Sequence, residues 1–78
     1  MSKSTILADF QNADPRGRLR LNCAGTISDL AAQNIVLRNG LSLTLRDENL
    51  EADGTVCFSP EEDVWVAEID WQAIRRHT

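Results

Sequence analysis

A chain of 78 residues, 42% hydrophobic and 26% charged, admits one folded unit and excludes a disordered chain. A unit of that size buries only about 60% of its unfolded surface, so one compact core is expected and a deep substrate cavity is not. The formal net charge of −4 argues against a generally basic nucleic-acid binder.

Residues 1–15 show no clear periodicity and are expected to form a flexible or loosely docked arm, ended at Asp14-Pro15 because the residue before proline is pushed out of the helical region. The opening MSKSTILADFQ has one lysine, an early Asp9, no apolar core region and no small-residue cleavage site. It does not read as a signal peptide. No apolar run approaches the roughly 20 residues that span a bilayer, and the expected location is cytoplasmic.

From Gly17 to Asn22 apolar and basic residues alternate: Leu19 and Leu21 face one way, Arg18 and Arg20 the other, with Arg16 before them. That is a half-buried strand with a basic outer face. Thr26 with Asp29 three later has capping-box spacing, and Ile27, Leu30 and Ala31 recur at helical spacing. A short helix is predicted over 27–33, with Asn34 suited to a left-handed cap. Ile35-Val36-Leu37 leads into the turn signal Asn39-Gly40. Leu41, Leu43 and Leu45 then alternate with polar residues in a second strand.

Asp47-Glu48-Asn49 reads as a turn, and a third strand follows from Leu50 to Phe58, in which Gly54 suggests a bulge or bend. After the turn Ser59–Asp63, Trp65, Ala67, Ile69 and Trp71 share one parity, as a strand with one large apolar face requires. Asp70 can cap a single helical turn through Trp71 and Ile74, and residues 74–77 can add a short fifth strand.

This order predicts a mainly β fold over residues 16–78: a small SH3-like antiparallel barrel of about five strands, its last strand pairing back near its first. It has one short helix after the first strand and a one-turn 3-10 helix before the last. The alternative is an α+β open sheet with one helix packed on it.

The segments GTISDLAAQNI, LSLTLRD and WVAEIDWQAIRRH together resemble a family of small uncharacterised bacterial proteins, a domain of unknown function with the closing motif W-V-A-x-I-D-W-x-A-I-R. The resemblance covers about residues 17–77. It implies a shared small fold and carries no activity, cofactor or catalytic residue.

Charge is segregated along the chain. Residues 1–46 carry six bases against three acids, residues 47–70 nine acids and no base, and Arg75-Arg76 follow. Two parts of one barrel can attract each other this way; alternatively, if the first and last strands pair, Arg16, Arg18, Arg20, Arg75 and Arg76 make one basic face for phosphate or nucleic acid. Trp65 is the candidate recognition aromatic, whereas Asp70, Trp71 and Ile74 are read as structural, closing one end of the barrel.

Cys23 and Cys57 stand alone without paired ligands, so no metal site is expected. The single histidine, His77, leaves no Ser/His/Asp set and no base to activate a cysteine. The acids of residues 47–63 lack calcium-loop spacing. A non-enzymatic binding module follows, without cofactor or small-molecule substrate, acting on a protein partner or its own copy. A nucleic-acid contact through the arginines is the alternative.

Overall fold

Residues 3–76 are described by the structure, a computed structural model. Strand β1 (Thr5–Leu7) and strand β2 (Leu19–Arg20) precede helix α1 (Ala24–Ala32). Strands β3 (Ser42–Arg46), β4 (Leu50–Ser59) and β5 (Val64–Ile69) follow, then a 3-10 turn (Trp71–Ala73) and β6 (Arg75–Arg76). His77 lies outside the described residues.

Strand β4 organises the sheet. Along one edge it pairs antiparallel with all of β3, from Ser42↔Thr55 to Arg46↔Glu51. Along the other it pairs first with β5, from Ser59↔Val64 to Gly54↔Ile69, and then with β6 at Glu51↔Arg75 and Leu50↔Arg76. The 3-10 turn is the step by which the chain leaves one half of β4 and rejoins the other. With β1 outside β3 and β2 outside β5, the order is β1-β3-β4-β5-β2, a curled half-barrel.

The expected mainly β fold with one helix and a lone 3-10 turn is present, with two differences in pairing. The last strand joins β4 and not the first predicted strand, because β2 is taken by β5 through Leu19↔Ala67 and Arg20↔Val66. The sheet is also mixed: β1 runs parallel to β3, Thr5 opposite Thr44 and Leu7 opposite Arg46. Residues 5–7 are therefore sheet, and the expectation of a flexible arm is corrected. The physical reason is an alternation of apolar residues. Ile6, Ala8 and Phe10 point inward and are 0%, 5% and 6% exposed, and burying them offsets the entropy of ordering the segment.

The concave face gathers Ile6, Leu19, Leu43, Leu45, Val56 and Ala67 into one core cluster, extended by Leu21, Leu30 and Phe10. Gly54 lies on this face with no room for a side chain. A Cβ there would lie 2.9 Å from Leu45 Cδ1 and 3.2 Å from the Glu68 carbonyl oxygen. The glycine accommodates close approach within continuous pairing to Leu43 and Ile69, which replaces the expected bulge.

Helix α1 starts three residues before the predicted Ile27, with Cys23 at its N-cap and no side-chain cap bond. Thr26 and Asp29, expected as a capping box, turn instead to β1. Its end is a Schellman motif: Asn34, at φ 56°, donates to Ala31 O, and Ile35 N–H reaches back to Leu30 O. Ile35 then packs against the core.

Candidate functional site

The convex side of the β4–β5–β2 region carries a second buried layer. Cys57 and Arg20 both stand opposite Val66 in the register, so these side chains share the face away from the main core. Ser59 follows Cys57 by two residues and lies on the same side. A hairpin covers them: Asp14 N–H donates to Arg18 O at 2.8 Å and Arg20 N–H to Asn12 O at 2.9 Å. Gly17, at φ 80°, makes the reversal. Under this cover Val66 and Ser59 are 0% exposed.

Asp14 fixes the hairpin. Its Oδ1 accepts the N–H groups of Arg16 and Arg18, and Oδ2 accepts Arg18 Nε at 2.8 Å. Burial pushes the Asp14 carboxyl upward, but the Arg18 backbone, the Arg18 guanidinium and the Arg16 backbone outweigh it and hold the group below its ordinary value. Arg20 makes a two-pronged contact with Glu62, at 2.6 and 2.9 Å, and reaches Ala13 O at 3.0 Å. Hydrogen bonding from Arg20 lowers the Glu62 pKa. Arg16 approaches Glu61 at 3.5 Å with both side chains well exposed.

The other two candidate arginines lie elsewhere. Arg75 sits on β6, where Nη2 contacts Glu51 at 2.9 Å and Asp53 at 3.5 Å, and Arg76 is exposed beside it. Because β6 pairs with β4 and β2 with β5, the structure does not unite Arg16, Arg18 and Arg20 with Arg75 and Arg76. The single basic face expected from first-to-last strand pairing is corrected to two separate groups. Acids of 47–63 meet both groups, and Lys3 joins Asp53 at 3.5 Å. The charge segregation of the sequence is thus expressed as attraction within the fold.

Trp65 is half-buried and stacks edge-on against Phe58, ring centroids 5.2 Å apart at 73°. Asp70 caps the 3-10 turn, its Oδ1 accepting Gln72 N–H at 2.9 Å, and Ile74 packs on the core. Trp71 remains 45% exposed. It meets Phe10 edge-on at 6.4 Å and donates Nε1–H to Gly17 O at 2.7 Å. It clips two segments together and does not plug the barrel.

A further concavity involves residues not among the candidates above. A cleft of about 460 Å³ runs beside β1, floored by Thr5, Ile6 and Leu7 and walled by Asp29 and Gln33 of α1 and by Arg46, Asp47 and Glu48. Helix side chains occupy the outer edge of β1. Leu7 N–H donates to Asp29 Oδ2 at 2.9 Å, Gln33 Nε2 donates to Thr5 O at 2.8 Å, and Thr26 Oγ1 donates to Leu7 O at 2.8 Å. Leu7 is nonetheless 48% exposed. The period-two spacing of Ile6, Ala8 and Phe10 was the signal that could have revealed this strand.

The cysteines are free and engaged locally, Cys23 Sγ 2.8 Å from Thr26 Oγ1 and Cys57 Sγ 3.8 Å from Arg18 Nη1. Among the described residues no helix is long and apolar enough to cross a membrane. Comparison with protein-family models, with curated proteins and with solved structures gives no match to this chain.

Proposed function

We propose that this chain is a non-enzymatic protein-interaction domain that docks a partner segment in the cleft beside β1. The carrying observation is the cleft's composition: an apolar floor with half-exposed Leu7, walled by Asp29, Asp47 and Glu48 against one arginine, Arg46. A segment pairing an aliphatic side chain with a lysine or arginine complements that lining. The closing motif supports kinship with the small bacterial family it resembles, and a cytoplasmic location goes with this reading.

The alternative, nucleic-acid contact through Arg16, Arg18, Arg20, Arg75 and Arg76, has less support. The arginines fall into two groups, and all but Arg76 face carboxylates.

The test compares proteins captured by the wild type and by Leu7→Lys/Glu48→Lys, with circular dichroism confirming that the variant folds. A direct partner retained only by the wild type, whose binding weakens with salt, is expected. Equal capture by both proteins, or no partner for either, would overturn the cleft as the docking surface. Light scattering on the purified chain reports whether a second copy is the occupant.

A further inference from the structure

The convex layer holds a second, smaller recess, remote in character from the cleft beside β1. It measures about 130 Å³ and is lined by Asp14, Arg16, Arg18, Ser59, Glu61 and Glu62, together with Pro15. Ser59 belongs to this lining while wholly buried, and among the described residues its Oγ is the buried side-chain polar atom with no hydrogen-bond partner. A buried hydroxyl without a partner is costly, and native proteins rarely leave one unanswered.

Two of the three carboxylates here, Asp14 and Glu62, are committed. Asp14 Oδ1 takes two backbone N–H groups and Oδ2 takes Arg18 Nε. Both oxygens of Glu62 are on Arg20. The donors are not exhausted. Arg18, its side chain 11% exposed, has only Asp14 and a 3.8 Å sulfur contact to Cys57 as partners, so Nη2 has no acceptor among the described residues. Arg16 has one loose contact, 3.5 Å to an exposed Glu61. The spare hydrogen-bonding capacity is therefore that of two guanidinium groups and one hydroxyl. What completes it is an acceptor, and two guanidinium groups favour a negative one.

We propose that this recess binds a single small oxoanion of phosphate size. Arg16 swings from Glu61 onto the anion, and the cover over the wholly buried Ser59 hydroxyl opens as it binds, so that the anion's oxygens take hydrogen bonds from Arg18 and Ser59. The recess is too small for a nucleotide and suits one oxoanion group, free or at the end of a larger molecule. Glu61 is the exchangeable counter-ion, and it restrains affinity when no ligand is present.

The experiment is an amide NMR titration with sodium phosphate at fixed ionic strength against sodium chloride, with thermal melting alongside. Saturable shifts at Arg16, Gly17, Arg18 and Ser59 are expected, together with a phosphate-dependent rise in Tm. Ser59→Ala removes a hydroxyl that has no partner, so the variant folds and should bind at least fivefold more weakly; Arg16→Ala should do likewise. A phosphoserine peptide distinguishes the sources: tighter binding than inorganic phosphate marks a phosphoryl group on a macromolecule, weaker binding a free ion. No saturable shift in the wild type, or shifts unchanged in both folded variants, would overturn the site.

Discussion

Asp14 binds Arg18 twice, once through the backbone N–H at 2.8 Å and once through Nε at 2.8 Å. One carboxylate therefore sets both the turn of the hairpin and the side chain that reaches Cys57. Replacing it removes the turn's acceptors and leaves a nearly buried guanidinium alone. Asp14→Ala should lower stability by roughly 2–3 kcal/mol, read as a urea midpoint shift at constant slope. Adding Arg18→Met should recover part of that loss, since the unpaired charge goes with it. Full additivity of the two losses would show that the pair is not coupled.

Acid should weaken the fold through the same contacts. The carboxyls of Asp14, Asp53 and Glu62 are held below their ordinary values of 3.8, 3.8 and 4.5. Burial opposes this at Asp14 but is outweighed by its hydrogen bonds. At Asp53 the Thr44 hydroxyl leads the lowering, and at Glu62 Arg20 does. A group with a lower pKa when folded is protonated first in the unfolded chain. Its contribution is present above those ordinary values and is lost as pH falls through 4 toward the folded value. Urea midpoints should thus hold from pH 7 to 5 and drop between pH 4.5 and 3. Glu62→Gln should be less stable at pH 7 and show a shallower acid decline; an identical decline would remove Glu62 from the account.

Trp71 and Gly17 form a clip between residues 54 apart in sequence, with the indole N–H on the glycine carbonyl at 2.7 Å. A ring 45% exposed gives up less on truncation than a buried one. Trp71→Ala should cost about 2 kcal/mol, short of the 3–5 typical of a buried tryptophan. Trp71→Phe keeps the contact with Phe10 and loses only the hydrogen bond, about 1 kcal/mol. Gly17→Ala meets both a φ of 80° and a Cβ 3.1 Å from the indole nitrogen, so it should cost at least as much as Trp71→Phe. Thermal melts of the three variants give the ranking.

The strands after the helix were legible because Leu41–Leu45, Leu50–Phe58 and Trp65–Ile69 each alternate, and alternation is a property of the strand itself. Asp70 was legible for the same local reason, as a cap two residues before the N–H it accepts. What escaped was set by partners distant in sequence. Ile6, Ala8 and Phe10 alternate too, but a three-residue strand needs β3 beside it to persist, and β3 lies almost forty residues on. Thr26 and Asp29 have capping spacing, yet the unpaired edge of β1 competes for both side chains and wins. Val66 has the parity opposite to Trp65, Ala67 and Ile69, and it is buried on the side that the hairpin ending at Arg20 covers. The five arginines do not form one face because β6 pairs with β4 at Leu50 and Glu51 and β2 with β5, a choice of partner that alternation within a strand does not encode.

Helix α1 covers the edge of β1 with side chains where another strand would otherwise add. Asp29 and Gln33 satisfy Leu7 N–H and Thr5 O, groups that exposed edge strands present to other chains. Asp29→Ala/Gln33→Ala removes two of the three helix side-chain bonds to this edge, leaving Thr26 on Leu7 O and the core residues Ile6 and Leu30 in place. The Leu7 amide should then exchange its hydrogen at least tenfold faster, while core amides of β4 and β5 keep their protection. Static light scattering should rise with protein concentration in the double variant and stay flat in the wild type. Unchanged exchange at Leu7 would mean that β1 is held by its pairing with β3 and by Thr26. Faster exchange without association would mean that the bare edge is opened but not used. The first result would remove Asp29 and Gln33 as guards of the strand. The second would leave them as guards while showing that the cleft wall, and not the edge, governs what docks beside β1.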